Sequence, residues 1–265
     1  SIITLEQSKF DFSEALVIVI SQSGKSADLV ECERKSRLMG AYTVIITNNV
    51  ESPIIKEANY FLNMFAGDEK SVAATKTFTQ TLLVLIKLVF ICLGKKNIND
   101  DIKKLSEIIV NDSSNEWNTD IIDKSINTGF IIGRGVGFAL SNEISLKFKE
   151  LCQEMIEPFS SAEVMHGPKS LIQNSFKLFL LGMNDKSGLT VHNDVHELKN
   201  YTNLIYEMSS NENIKSDFFY PSNKILELDS VILMSKFYPW IIRYTIKKGL
   251  NPDKPRYLTK VTQTF

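Results

Sequence analysis

Five branched or long apolar residues in a row, Leu16-Val17-Ile18-Val19-Ile20, stop abruptly at Ser21-Gln22-Ser23-Gly24. A run of that kind predicts a fully buried parallel strand. Residues 26–39 then carry Leu29, Val30, Cys32 and Leu38 at helical spacing, and Gly40 ends the segment. Tyr42 to Thr47 predicts the next strand, Asn48-Asn49 a turn, residues 53–58 a short helix and Tyr60 to Met64 a third strand. A long helix follows over residues 72–93, in which Leu82 to Leu93 reads as buried and too short to span a bilayer. Repeated strand–helix–strand units of this kind predict a doubly wound parallel sheet.

The pattern restarts after a polar helical stretch near residues 100–110 and the linker Asn111-Asp112-Ser113-Ser114-Asn115. Gly129 to Ile132 predicts a strand ending in Gly133-Arg134-Gly135, followed by a helix over residues 138–153. Lys177 to Leu181 predicts another strand, with a helix near 194–208 and a strand near 224–228 after it. Pro239 to Lys247 predicts a helix with the proline in its first turn. The expected fold class is α/β, with two subdomains, each a doubly wound parallel sheet flanked by helices. Residues 1–112 are assigned to the first, and residues 118–265, with the C-terminal tail, to the second.

Charge excludes one class of partner. Lys and Arg total 30 against 31 Asp and Glu, for a net charge of −1. That leaves no broad basic field for a nucleic acid backbone, so no nucleic acid is expected as partner. The odd set Cys32, Cys92 and Cys152, without a CxxC pair, argues against a disulfide scaffold or a structural zinc. Free thiols in a reducing cytoplasm are the expectation, and neither a signal peptide nor a membrane segment is expected.

Ser21-Gln22-Ser23-Gly24-Lys25-Ser26 lies where the first strand meets the first helix. Ligands of open α/β sheets bind at that edge, and a helix N-terminus lined with hydroxyls suits phosphate. A plain N-capped helix with incidental serines is the competing reading. Gly24-Lys25-Ser26 resembles the end of a P-loop, but that motif needs glycine where Val19 stands. Gly133-Arg134-Gly135-Val136-Gly137 resembles a dinucleotide turn, but Phe138 occupies its last glycine position. It predicts close backbone approach instead.

Glu143, Lys147 and Glu150 fall on one helix face, which by spacing alone reads as a solvated salt-bridged stripe. Ser160 to Pro168 adds His166 in a small-residue segment downstream, and a carboxylate with an imidazole is a common pair for proton transfer beside a carbonyl. His192 and His196 lack the HExxH arrangement and read as surface residues. The segment Pro252 to Thr262 has no periodicity; it either frays or forms an ordered extended tail that delivers Lys260 to a cleft.

Together these pieces resemble the sugar isomerase (SIS) family, especially SIS-type glucosamine-6-phosphate deaminases and the isomerase half of glucosamine-6-phosphate synthase. The resemblance rests on Ser21-Gln22-Ser23-Gly24, Ser71-Val72-Ala73-Ala74-Thr75-Lys76, Gly133-Arg134-Gly135, Leu146 to Glu150, Ser160 to Pro168 and Asn251 to Thr264. It implies that Ser21, Gln22, Ser23 and Ser26 cradle phosphate, and that Val72 and Ala74 line the sugar site. It implies that Glu150 moves a proton between C1 and C2, that Lys147 lies near the substrate hydroxyls, and that Lys260, with Thr259 beside it, reaches the open-chain ketose as a Schiff-base lysine. His166 would open the sugar ring from across a homodimer interface.

The implied activity is conversion of glucosamine-6-phosphate to fructose-6-phosphate and ammonia, with no metal or nucleotide cofactor. The alternatives are galactosamine-6-phosphate as substrate, fructosamine-6-phosphate deglycation, an aminotransferase-like protein without a glutaminase, or a non-catalytic sugar-phosphate sensor. The family's glutaminase domain is not in the sequence, nor is the strand with a Gly-Thr-Ser type loop that precedes the Ser-Gln-Ser-Gly unit.

Overall fold

The computed structural model describes residues 3, 4 and 10–260, without the side chains of Val195 and His196. The chain divides into two compact units. One is drawn from Ser1–Leu88 and Thr259–Phe265, the other is Val89–Leu258. Each holds one parallel sheet flanked by helices, so the chain is an α/β protein with two parallel sheets.

The first unit contains β1 (Leu16–Ser21), α1 (Ala27–Leu38), β2 (Tyr42–Thr47) and β3 (Tyr60–Asn63). The sheet order is β1-β2-β3, and the register aligns Ser21 with Thr47 and Thr47 with Asn63. Val19, Ile45 and Ile54 form its core, with Val17, Leu29 and Val30 packed against them. The predicted full burial of the first strand does not hold. Leu16 is 60 % exposed, and Ile18 and Ile20 are also exposed. β1 is an end strand, and only its Val17–Val19 face lies in that core. Residues 53–58 form only a 3-10 turn, Pro53–Ile55.

The helix α2 (Lys76–Cys92) starts later than predicted, and Val72 and Ala74 lie in the turn before it. It is helical but not a buried helix: Thr77 and Phe90 are buried, while Val89 and Ile91 are exposed.

The second unit begins with α3 (Ile98–Asn111), β4 (Thr128–Gly133), α4 (Val136–Cys152), β5 (Met155–Ser160) and α5 (Ser161–His166). It continues with β6 (Lys177–Gly182), α6 (Lys186–Leu198), β7 (Ile205–Ser209), β8 (Phe218–Phe219) and α7 (Leu226–Lys247). All pairings are parallel, in the order β5-β4-β6-β7-β8. Phe130, Ile132, Leu178 and Leu180 anchor the core on one face of this sheet.

Three sequence expectations fail here. The helix expected near 194–208 is displaced: α6 ends at Leu198, and β7 takes Ile205 onward. Asp185 fixes the early start, because its Oδ1 accepts Gly188 N–H at 2.8 Å. The strand expected near 224–228 is the beginning of α7, and Pro239 is interior to that helix, not in its first turn. The linker at 111–115 is held: Lys236 Nζ lies 2.6 Å from Asp112 Oδ2 and also donates to Asn115 O. Among the described residues, no helix is long and apolar enough to cross a membrane.

A closed ionic cluster joins three segments of this unit. Glu154 Oε1 accepts Tyr244 O–H at 2.7 Å and Lys248 Nζ at 2.6 Å, and Oε2 accepts Lys177 Nζ at 3.0 Å. Glu154 and Lys177 side chains are both 0 % exposed. Burial pushes the Lys177 amine below its ordinary value, and Glu154 opposes that. Removing one partner of a buried pair strands the other charge. Glu154→Gln is therefore expected to lower the unfolding free energy by about 3 kcal/mol in urea titration. Adding Lys177→Met is expected to recover much of the loss.

Candidate functional site

In the first unit, the loop after β1 is shaped by its own serines. Ser21 Oγ accepts Gly24 N–H at 3.1 Å, and Ser23 Oγ accepts Lys25 N–H at 3.2 Å. Gly24 has φ +62°, and a Cβ there would lie 2.2 Å from Ser52 Oγ. Ser52 is fully buried, and its hydroxyl has no hydrogen-bond partner among the described residues. The turn after β2 braces the loop: Asn48 N–H donates to Gln22 O at 3.2 Å, and Asn49 Nδ2 donates to Ser23 O at 3.2 Å.

Ser26 is the residue that opens α1, yet its side chain makes no capping hydrogen bond. Ser26 caps the helix through its backbone alone, and its hydroxyl is not engaged in the cap. The loop combines a helix N-terminus with the side chains of Ser21, Gln22, Ser23 and Ser26, an arrangement suited chemically to an anion.

Val72 and Ala74 lie on the segment that leads into α2, between Glu69 and Thr75. Lys260 enters from the tail, and its Nζ donates to Ser71 O at 2.7 Å and lies 3.6 Å from Glu69 Oε2. Thr259, next to it, is exposed. The tail is therefore ordered as far as Lys260; residues 261–264 of the motif lie outside the described residues. Sequence reading missed Glu69. Burial pushes its carboxyl upward, but hydrogen bonds from Thr77 and Thr75 and the Lys260 ammonium outweigh that and hold it below its ordinary range.

In the second unit, α4 turns the supposed solvated stripe inward. Lys147 is 2 % exposed and Glu143 9 %, with Glu150 at 23 %. Lys147 Nζ lies 2.5 Å from Glu150 Oε2 and 3.5 Å from Glu143 Oε1. Tyr238 O–H donates to Glu143 Oε1 at 2.8 Å. Burial pushes the Glu143 carboxyl up; Lys147 and Tyr238 oppose this, and the Glu150 charge adds to it, leaving a net rise. One buried ammonium is thus shared by two carboxylates, and the outer one reaches solvent. A carboxylate so placed can exchange a proton with a ligand.

His166 ends α5 and is exposed. α5 carries a reciprocal cap between Ser160 and Glu163, so its short span is fixed at the start. The glycine turn is a packing device, as expected: a Cβ on Gly133 would lie 2.6 Å from Gly137 C. His192 lies at the surface, 34 % exposed, with its Nδ1 2.8 Å from Glu207 Oε1. The His196 side chain lies outside the described residues.

The SIS domain profile matches residues 12–91. The chain is 34 % identical over 253 residues to the glutamine–fructose-6-phosphate aminotransferase [isomerizing] of Sulfolobus acidocaldarius, covering 92 % of this chain and 42 % of that protein. It therefore spans less than half the length of that relative. A solved phosphosugar isomerase candidate from Silicibacter pomeroyi superposes with a TM-score of 0.83 at 26 % identity, over 95 % of this chain and 77 % of that one. Glucosamine-6-phosphate deaminase from Thermotoga maritima shares the fold, with a TM-score of 0.74 at 22 % identity over 94 % of this chain and 75 % of its own. The chain is thus a SIS-domain protein: residues 12–91 carry the SIS domain, nearly the whole chain is similar to the isomerizing aminotransferase, and the likeness to glucosamine-6-phosphate deaminase is one of fold.

Proposed function

We propose that the chain is an amino-sugar-phosphate deaminase/isomerase that converts glucosamine-6-phosphate and water to fructose-6-phosphate and ammonia. The observation that carries this reading is the buried Lys147 ammonium held between Glu143 and the more exposed Glu150. A phosphate-only sensor has no need of a partly exposed carboxylate held by a buried lysine.

In this reading Ser21, Gln22, Ser23 and Ser26 take the phosphate, and Val72, Ala74 and Thr259 contact the sugar. Anchoring the remote end supplies positioning at the reacting carbons. His166, supplied by the partner of a homodimer, moves the ring proton that opens the pyranose to the aldehyde. Glu150 removes the C2 proton, giving an enolamine, and returns a proton to C1, giving the C2 ketimine. Water adds to that carbon and ammonia leaves. Lys147 holds Glu150 in place and faces the substrate hydroxyls. Lys260 assists at the open-chain carbonyl, where its amine can condense with the ketose and lose water.

A second reading has support of its own, since the aminotransferase similarity covers 92 % of the chain. In that case the same residues run amination of fructose-6-phosphate with ammonia supplied from elsewhere. Amination by free ammonia is the reverse of the same reaction, so the assay runs from both sides: ammonia is measured against fructose-6-phosphate starting from glucosamine-6-phosphate, and glucosamine-6-phosphate is measured starting from fructose-6-phosphate and ammonium. Stoichiometric release supports the deaminase. Sugar-phosphate binding without release in either direction ends both and leaves the sensor.

Glu150→Gln is expected to lower kcat by about 10²- to 10⁴-fold with sugar-phosphate Kd unchanged. Unchanged turnover would sink the proton-transfer assignment. Gly24→Ala is expected to abolish measurable fructose-6-phosphate binding in calorimetry. The left-handed conformation costs a side chain about 1–2 kcal/mol, and the new Cβ has no room beside Ser52. Sedimentation is expected to give a dimer; a fully active monomer would remove His166 from the ring-opening role.

A further inference from the structure

We infer that Glu69 is a positioning residue that latches the tail amine of Lys260 beside the Val72–Ala74 segment. The latch stands on geometry alone; its importance for chemistry rests on the proposed role of Lys260.

Glu69 sits on the loop between β3 and α2, and its side chain is only 2 % exposed. A buried carboxylate is costly unless donors surround it. Three come from the start of α2: Oε1 accepts Thr75 N–H at 2.9 Å and Thr77 N–H at 3.2 Å, and Oε2 accepts Thr77 Oγ1–H at 2.6 Å. These bonds satisfy N–H groups that a helix start leaves without intrahelical partners. They also fix the direction of the carboxylate.

Capping accounts for those three donors but not for the fourth group. Lys260 comes from the other end of the chain, and its Nζ faces Oε2 at 3.6 Å while donating to Ser71 O at 2.7 Å. Its side chain is 29 % exposed. The segment that delivers it contains neither helix nor strand from Asn251 to Lys260. A lysine on such a segment has many rotamers, and fixing its amine carries an entropy cost. The Glu69 carboxylate, held by the start of α2, and the Ser71 carbonyl two residues on supply the compensating contacts. The same start positions Val72 and Ala74. Glu69 thereby sets the place of the amine relative to that segment without itself needing to touch a ligand.

The experiment compares reductive methylation by formaldehyde and cyanoborohydride at Lys260 with that at exposed Lys25, by peptide mass spectrometry of the full chain. Glu69→Gln keeps the shape and one acceptor but removes the charge; the Lys260/Lys25 ratio is expected to rise several-fold. Thr77→Val loosens the cap and keeps the charge; its ratio is expected to stay near wild type. An unchanged ratio in Glu69→Gln overturns the latch, and so does an equal rise in Thr77→Val. Should Glu69→Gln not fold, Glu69→Asp draws the charge back by one methylene. Its ratio is then expected to rise, and no rise overturns the proposal.

Borohydride trapping of fructose-6-phosphate on Lys260 tests the chemical consequence. Glu69→Gln is expected to slow trapping about tenfold or more with Kd unchanged, as small misplacements of reacting groups do. No trapping in the wild-type protein would defeat the Schiff-base role of Lys260, while the methylation ratio would still decide the latch.

Discussion

Parallel pairing decides where the loops of this protein can go. In the first unit the register sets Ser21, Thr47 and Asn63 side by side at the ends of β1, β2 and β3. The three following loops must therefore leave from one edge. Their backbones meet there: Asn48 donates from its backbone to Gln22 O, and its side chain accepts Ala66 N–H and donates to Gly67 O. The Ser-Gln-Ser-Gly loop is rigid because its neighbours arrive at the same place, and not only because of its own residues. The same rule in the second unit aligns Gly133 with Ser160, from which α5 leads to His166. Glu150 does not follow the rule, since it lies in the last turns of α4, away from the helix start that meets the strand edge.

The second unit buries two lysines against carboxylates, and comparison of the two separates structure from chemistry. Lys177, Glu154 and Tyr244 are enclosed, and every polar tip points to another within the cluster. Such a cluster can only hold segments together. Around Lys147 the inner carboxylate, Glu143, is bound by Tyr238, but Glu150 is partly exposed. The arrangement is closed at one end and open at the other. Burial cost is similar in kind for both lysines, so exposure of the outer carboxylate, not the presence of a buried ion pair, is what suits the α4 cluster to the proposed proton transfer.

Much of the architecture was readable from residue patterns, and the failures have specific physical causes. β2 and the restart at β4 are short apolar runs between glycines and polar turns, and they formed where the pattern put them. β5 went unseen because it contains Pro158, and it is tolerated because β5 is an end strand. The first residues of α7 include branched apolar side chains that suit a strand equally well, and Pro239 suggested a helix start that the chain overrode. On the site, spacing put Glu143, Lys147 and Glu150 on one face but could not say that the face turns inward. Glu69 sits in an Asp-Glu-Lys run that looks solvated, and its burial depends on contacts with Thr77 and Lys260 that lie outside that run.

The glycine motifs illustrate what a short pattern records. Gly133-Arg134-Gly135-Val136-Gly137 looked like a nucleotide turn, yet Gly133 is small so that the backbone of Gly137 can pass, and Gly137 in turn so that Leu181 O can. Both are occupied by the chain's own strand–helix packing. At Gly24 the neighbour is Ser52, a buried hydroxyl without a hydrogen-bond partner among the described residues, beside a loop that carries several hydroxyls. In each case glycine marks close approach. The approaching atoms differ in kind: a carbonyl already fixed in a strand in one instance, and in the other a buried hydroxyl with no hydrogen-bond partner among the described residues.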